Sequence, residues 1–271
     1  MNKLVYASIV KDYVESRGVS ASIIENARNN AGAIGISIKR DTNISPIFYI
    51  SEDEDPIDFA KRILEFEPEE INLDRLSDIM LCKTEVLSRA HYILVNTALN
   101  ESRTGIVRVP INSSLELHYK IDISDIMPDA KVSLEKKHLE NLDIPLAELA
   151  GKAYKNTMRD YPAKIYTIGE ALKMDDIFSD EFLVLSNESN MYGAGAILYE
   201  GMYKTLKDRL GGDFVVIPSS VHEMIIIKTE YGDISALTSI INDVNYGVVS
   251  DEEVLSDRPY KLIRDKKLVE A

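Results

Sequence analysis

Two apolar periodicities alternate along this chain, and their alternation is the feature that most limits its fold. Residues 115–121 place apolar side chains at every second position, as in a β-strand with one buried face. Residues 145–158 instead repeat them every three or four positions, as in a helix. Patterns of both kinds are interleaved from the beginning of the chain to its end. We therefore predict an α+β fold, with mixed or mostly antiparallel sheets and helices packed on them.

The predicted elements divide into two sub-domains. We place an N-terminal α+β domain at residues 1–125 and a C-terminal α+β domain at 126–271, because the polar segment 122–142 is the loosest connection. Within the strand at 115–121, His118 falls on the solvent-facing set and is predicted to be a surface residue. Helices are predicted at residues 4–17, 56–64, 76–88, 145–158, 190–210 and 233–244, and strands at 21–27, 33–38, 47–50, 91–97, 106–109, 115–121, 164–168, 182–185, 214–217, 221–227 and 260–263.

Charge and cysteine content restrict the compartment and the partners. The chain has 45 Asp and Glu against 31 Lys and Arg, a net charge of −14 that repels nucleic-acid phosphates and anionic lipids. The strongest apolar stretches, residues 92–95 and 224–227, fall far short of the roughly 20 residues of a membrane helix. We see no signal peptide, and the single Cys82 suits a reducing cytosol. We predict a cytoplasmic protein without direct nucleic-acid binding, a membrane segment, a metal site or a cofactor, and its oligomeric state stays open.

Acidic residues are concentrated in residues 51–74, where ten carboxylates face only Lys61 and Arg62. One interpretation is a solvated helix whose acidic start complements the helix dipole. The other is a surface that resembles nucleic-acid phosphates and attracts a basic partner. The first is favoured, because the same segment also carries an apolar helical stripe.

Residues 218–223 are the segment that most resembles a catalytic site. Ser219 and Ser220 offer hydroxyls, His222 an imidazole and Glu223 a carboxylate, which are the parts of a nucleophile, a base and an orienting acid. Against this, a regular strand would point His222 and Glu223 to opposite faces. The structural interpretation is that the serines satisfy turn amides and that His222 is hydrogen-bonded beneath a loop.

A second candidate lies at a predicted strand–helix turn. Asn187, Asn190, Gly193 and Gly195 are candidate ligand-binding residues, because glycines at such a turn let backbone amides approach a phosphate. The third glycine of the dinucleotide pattern is missing, since Leu198 occupies its position. Close helix–sheet packing explains the small residues equally well. We predict that this turn and residues 219–223 meet in space around a single cavity.

These motifs carry a resemblance that spans nearly the whole chain. They resemble a domain family of unknown function from Clostridia and related Firmicutes, of which the Pro-Ser-Ser-x-His-Glu run is the most specific part. Two departures, Arg28 in place of lysine and an extra Ala31, affect only the first hairpin. The resemblance implies a cytosolic bacterial or mobile-element protein and no particular activity. The matching segments are residues 29–30, 43–49, 156–157, 190–195, 212–214, 218–223, 244–245 and 252–257.

Two functions are compatible with these observations. The first is a binding or regulatory protein that contacts another macromolecule, for which a protein is the expected partner, through its acidic surface. The alternative is a hydrolase or transferase with Ser219 or Ser220 as nucleophile and His222 as general base, in which Glu223 or a distant acid orients the imidazole. In that alternative the loop after Gly193 supplies backbone amides to an oxyanion or a phosphate.

Overall fold

The structure is a computed structural model that describes residues 2–25, 29–30, 34–39, 45–50, 54–66, 72–172, 182–231, 233–247, 249–263 and 267–271. Its helices are α1 (Lys3–Ser16), α2 (Pro56–Glu65), α3 (Leu73–Met80), α4 (Lys83–Arg89), α5 (Lys136–Asn141), α6 (Leu146–Asp160), α7 (Ile168–Leu172), α8 (Met202–Leu210) and α9 (Ile234–Gly247), with 3₁₀ segments at Ala98–Asn100, Gly193–Leu198 and Thr229–Tyr231. Its strands are β1 (Ser20–Glu25), β2 (Ile34–Lys39), β3 (Ile47–Tyr49), β4 (Ala90–Asn96), β5 (Arg108–Pro110), β6 (Leu115–Asp122), β7 (Lys131–Ser133), β8 (Ala163–Thr167), β9 (Phe182–Asn187), β10 (Phe214–Pro218), β11 (Met224–Lys228), β12 (Tyr260–Ile263) and β13 (Lys267–Glu270).

The strands form three antiparallel sheets, which confirms the predicted α+β fold. The first sheet has the order β1-β2-β3, and the second has the order β4-β6-β5 with β7 also paired to β6. The third has the order β13-β12-β10-β11-β9-β8. Neighbouring strands in these sheets are often neighbours in sequence, as expected when short connections join antiparallel strands.

The N-terminal sheet has its own hydrophobic core with α1 and α2. Side chains of Tyr6 and Val10 from α1 pack with Ile36 from β2 and with Phe59 and Ile63 from α2. Both helices begin at a side-chain cap: the Asn2 side chain accepts the amide of Leu4, and the Asp55 side chain accepts the amide of Ile57. The capped starts and the paired apolar faces explain why these short segments are helical.

The second and third sheets enclose one larger core, whose buried residues run from Ile79 to Leu268. The domain boundary between residues 125 and 126 stays a prediction, and the described contacts do not single it out. Strands β6 and β7 pair across it, and the core contains residues from both sides of it. Helix α9 covers the other face of the third sheet, where Leu237 packs on Val215 and Ile227. None of the helices in these ranges is long and apolar enough to cross a membrane.

Several predicted elements differ from the structure. The helix expected at 190–210 is divided, because the 3₁₀ segment ends at Leu198 and Gly201, with a φ of +79°, precedes the first residue of α8. The strand expected at 221–227 begins only at Met224, because the preceding five residues form the turn of the β10–β11 hairpin. The helix expected at 76–88 is two helices, α3 and α4. The segment 122–142 contains β7 and α5, whose lengths are too short to show a clear period.

The predicted exposure of His118 is wrong. Its side chain lies on the face of β6 opposite the core, but the residue is only 1% exposed. Arg108 lies opposite it on β5, and Glu116 contacts its imidazole Nε2 at 2.6 Å. Polar side chains from β5 and β6 therefore cover this face, which strand alternation alone assigns to solvent.

Candidate functional site

The connection between β10 and β11 is a tight turn that its own serines hold in place. The amides of Ser219 and Ser220 both donate to the carbonyl of Glu223, at 3.3 and 3.2 Å. The hydroxyl of Ser220 accepts the amide of His222 at 3.0 Å. Short hydroxyl side chains commonly satisfy turn amides in this way. The Ser220 hydroxyl therefore has the role that the structural interpretation gives it, whereas the Ser219 hydroxyl donates to the Glu223 carboxylate instead of accepting a turn amide.

Both ring nitrogens of His222 have partners outside the turn. Nδ1 accepts the backbone amide of Tyr192 at 3.1 Å, and Nε2 lies 3.3 Å from Oε1 of Glu253. Because an amide can only donate, Nδ1 is the acceptor and Nε2 carries the ring hydrogen toward the carboxylate. The imidazole is thereby oriented by Tyr192 and Glu253, while neither ring nitrogen is bonded to a serine hydroxyl.

Glu223 faces a different part of the molecule from His222. Its two carboxylate oxygens accept the hydroxyls of Ser219 and Tyr166, each at 3.2 Å. Burial, together with the negative charge of Glu223, raises the pKa of Tyr166 to about 12. The four predicted catalytic residues are therefore neighbours that form two separate hydrogen-bond groups, one around His222 and one around Glu223.

The predicted ligand-binding loop is closed by its own hydrogen bonds. The amide nitrogen Nδ2 of Asn187 donates to the carbonyl of Met191 at 2.9 Å, and its Oδ1 accepts the hydroxyl of Ser189 at 2.9 Å. Asn190 and Tyr192 both have positive φ angles, 54° and 55°, which turn the chain sharply before the 3₁₀ segment. The Asn187 side chain thus stabilises the loop.

Gly193 is the point at which this loop meets the serine–histidine turn. A Cβ atom at this position would lie 2.3 Å from Oγ of Ser186 and 2.6 Å from the carbonyl oxygen of His222. The Ser186 hydroxyl donates to that same carbonyl at 2.8 Å. A Cβ on Gly195 would approach the ring of Tyr92 to 3.0 Å. Both glycines allow close packing, so the two spots meet as predicted, but Ser186 and backbone atoms fill the contact.

Larger cavities lie away from this contact. One of about 680 Å³ follows α8 and is lined by Met202, Tyr203 and Leu262, and one of about 180 Å³ lies beside Asn29 and Asn30. The largest of the three, about 910 Å³, lies between α9, the turn at 250–258 and β13. We call it the acidic groove, and its charged and aromatic lining residues are Asp243, Tyr246, Asp251, Asp257, Arg258 and Glu270.

The acidic groove has an excess of negative charge, since four carboxylates and one arginine line it and Lys3 pairs with one of the four, Asp251, at 3.3 Å. Glu270 accepts the hydroxyls of Ser113 and Ser114 and pairs with Arg258 at 2.9 Å, and these contacts lower its pKa to about 2. Asp243 has no cation within 4 Å in the part of the chain that the structure describes. Tyr246, which also lines the groove, is 97% exposed.

In the described part of the acidic segment at 51–74, three carboxylates are engaged in ion pairs or in a helix cap. Glu54 pairs with Arg62 and Asp58 with Lys61, each at 2.8 Å, while Asp55 caps α2. Residues 51–53 and 67–71 lie outside the described residues. The groove was not predicted from the sequence because its carboxylates come from separate segments, although the acids at 251–253 and 257 were a usable signal.

Metal binding has no candidate among the described residues, where no three His, Cys, Asp or Glu side chains are grouped to hold an ion. The assignments of Ser219, Ser220, His222 and Glu223 as catalytic, and of Asn187, Asn190, Gly193 and Gly195 as ligand-binding, stay predictions. In the structure, both sets of residues also have a structural role in the turn and the loop to which they belong.

A comparison with known protein families identifies the family of this chain. A family model matches residues 4–264, which is nearly the full length. The chain belongs to the DUF5688 family of unknown function. Comparisons with curated proteins and with solved structures found no match. The predicted resemblance to a family of unknown function is confirmed, and DUF5688 membership leaves the activity to be argued from the structure.

Proposed function

We propose that this DUF5688 member is a cytosolic binding or regulatory protein of a bacterium or its mobile elements, and that it holds a basic segment of a protein partner in the acidic groove. The observation that carries the proposal is the groove itself, about 910 Å³ in volume and lined by Asp243, Asp251, Asp257 and Glu270. A lysine- or arginine-rich segment complements that charge.

The exposed aromatic side chain at the groove supports this occupant. Tyr246 is 97% exposed at the end of α9, and Ile240 on the same helix is 56% exposed. An arginine or lysine over a tyrosine ring gains a cation–π attraction that adds to its carboxylate contacts. The net charge of −14 disfavours a nucleic acid as the partner, because phosphates would be repelled by the groove and by the whole surface.

A capture experiment with charge variants tests this function. The double variant Asp243→Asn, Asp257→Asn removes two groove charges, while Glu65→Gln, Asp74→Asn removes two exposed charges from the acidic segment at 51–74. We expect a basic protein from host lysate to bind the wild type and the second variant and to be lost from the first. Capture should weaken as salt rises. Equal capture by both variants, or capture insensitive to salt, would contradict the groove as the binding surface.

The hydrolase or transferase alternative has one observation in its favour. His222 is partly exposed and paired with the distant acid Glu253, beside the hydroxyls of Ser219 and Ser220. Catalysis would require the imidazole to exchange its Tyr192 or Glu253 contact for a serine hydroxyl. Labelling by a serine-directed activity-based probe, abolished in Ser219→Ala or Ser220→Ala, would support this alternative. Absence of labelling in the folded wild type would argue against it.

A further inference from the structure

A group of basic side chains surrounds the hydroxyl of Ser133 on the polar face of the second sheet. Lys120 on β6 lies directly opposite Ser133 on β7, and its Nζ lies 2.7 Å from the serine Oγ. The guanidinium Nη2 of Arg103 lies 3.3 Å from the same Oγ. Lys131, two residues before Ser133 on β7, shares this face. We call Arg103, Lys120, Lys131 and Ser133 the cationic cluster.

The hydrogen bonds of the cationic cluster have donors in excess. Lysine and arginine side chains can only donate, so the Ser133 oxygen accepts from both Lys120 and Arg103. The hydrogen of the Ser133 hydroxyl then has no acceptor among the residues that the structure describes. Among the described residues, the N–H and O–H groups of the cluster therefore outnumber its acceptor, the Ser133 oxygen.

The cations of the cluster have no direct ion pair among the described residues, although the charges of Asp122, opposite Lys131 on β6, and of Asp129 act on Lys131 from more than 4 Å away. Within the described ranges, no carboxylate oxygen lies within 4 Å of Arg103, Lys120 or Lys131, although the chain as a whole has a net charge of −14. Lys131 instead lies over the ring of Tyr161 at 4.3 Å. Burial and the positive charges of Arg103 and Lys131 lower the pKa of Lys120 to about 8.

The neighbouring carboxylates are already engaged elsewhere. Glu116 accepts Arg108 at 3.2 Å and contacts His118, while Asp122 accepts the hydroxyl of Tyr161 and the amide of Ser124. His91, which lies opposite Lys120 on β4, pairs with Asp160 at 2.9 Å. Burial and the cations Arg103, Lys120 and Arg108 lower the pKa of His118, which therefore adds no positive charge at neutral pH. The groups that face Lys120 from β4, β6 and β7 thus leave its charge unpaired.

We propose that the cationic cluster is a binding site for an oxyanion of the phosphate class, either inorganic phosphate or the phosphate of a small phosphomonoester. Arg103 and Lys120 donate N–H groups to its oxygens, and Ser133 donates the hydroxyl hydrogen that lacks an acceptor. Guanidinium and ammonium groups recognise phosphate through short, charge-assisted hydrogen bonds. All four side chains are partly exposed, so a small anion can reach them from solvent. This site is separate from the acidic groove and does not depend on the function proposed there.

Calorimetric titration of the full chain with inorganic phosphate, at constant ionic strength, tests the site. We expect saturable binding by the wild type and an affinity at least about tenfold lower in Arg103→Met and Lys120→Met, because each loses a charge-assisted hydrogen bond. Ser133→Ala is a milder variant that keeps every charge and is also expected to bind more weakly. Lys152→Met removes an exposed lysine on α6 and should bind like the wild type.

The pH dependence of binding distinguishes the contribution of Lys120 from that of the other positive charges. Glycerol 2-phosphate, a phosphomonoester with a second pKa of about 6, stays a dianion above neutral pH. Its affinity for the wild type should fall as the pH rises through about 8, where Lys120 loses its proton, and this step should be absent in Lys120→Met. Tighter binding of glycerol 2-phosphate than of phosphate would identify an ester as the ligand, and the reverse would identify free phosphate. The proposal would be overturned if neither probe gave saturable binding at constant ionic strength, or if folded Arg103→Met bound with wild-type affinity.

Discussion

At the scale of single residues, Gly193 determines whether the loop at 187–192 and the turn at 219–223 can touch. A Cβ there would overlap Ser186 Oγ, the amide of Asn187 and the carbonyl of His222, at 2.3 to 2.6 Å. We predict that Gly193→Ala lowers the free energy of unfolding by about 2–3 kcal/mol, because two of the three contacts are to backbone atoms that cannot move aside. Chemical denaturation measures the difference.

Gly151 supplies the matched control for that substitution. It lies in the interior of α6, and a Cβ there would meet nothing within 4 Å. Gly151→Ala should raise the free energy of unfolding by about 0.5–1 kcal/mol, because alanine favours the helix. A Gly193→Ala protein as stable as the wild type would show that the contact between the two loops is not close-packed.

The same residues show what local sequence can and cannot predict. The types and positions of Gly193, Ser219 and His222 were enough to predict that the loop and the turn meet. The partners of His222 were not predictable, since Tyr192 and Glu253 lie 30 and 31 positions away and approach it only through the sheet order. His118 was misassigned for a related reason: strand alternation gives the face but not what covers it.

At the scale of elements, Glu270 ties the final strand β13 to the β5–β6 hairpin. Ser113, Ser114 and Arg258 stabilise its charged form and lower its pKa to about 2, below the ordinary value of 4.5. A depressed pKa stabilises the fold above the unfolded-state value, and this contribution is lost as the pH falls through the folded-state value. Glu270→Gln should therefore cost about 1 kcal/mol at pH 6, a figure reduced for solvent screening.

The difference between Glu270→Gln and the wild type should shrink as the pH falls from 4.5 toward 2. Unfolding by urea at a series of pH values measures it. Glu101→Gln, on an exposed turn, is the control and should have little effect at any pH. A difference that is constant with pH would mean that the charge of Glu270 does not stabilise β13.

Helices and strands were predicted correctly where the apolar pattern was long, and they were missed where it was short. Helix α6 and strand β6 have enough residues to show a period, and both appear near their expected bounds. Strand β7 and the 3₁₀ segment at Gly193–Leu198 have three and six residues. Their structure depends on pairing with β6 and on packing against Tyr92, which no local pattern reports.

At the scale of the whole molecule, the turn at 251–254 connects the N-terminal unit, which is the first sheet with α1 and α2, to the rest of the chain. Asn30 donates its side-chain amide to the carbonyls of Asp251 and Val254, each at 2.8 Å, and accepts from Asn100. Glu253 in the same turn contacts His222. The Asn29-Asn30 and 252–257 motifs, which are far apart in sequence, are therefore in direct contact.

Replacement of Asn30 should loosen this connection. Asn30→Ala removes a buried side chain that donates to two carbonyls and puts alanine at a φ of 63°, so we predict that the free energy of unfolding falls by about 2–4 kcal/mol. Hydrogen exchange should speed up in α1 and α2 more than in β10 and β11, because the two units have separate cores. Asn141→Ala on exposed α5 is the control. Equal acceleration in both units would contradict a connection localised at Asn30.

A hydrogen-exchange footprint tests the proposal that this protein binds a basic segment in the acidic groove. An arginine-rich peptide is added to the full chain, and protection is mapped along the sequence. We predict slower exchange at residues 242–247 and 250–258, with no protection in Asp243→Asn, Asp257→Asn. Protection confined to α2 and α3, or to the turn at 219–223, would contradict the claim.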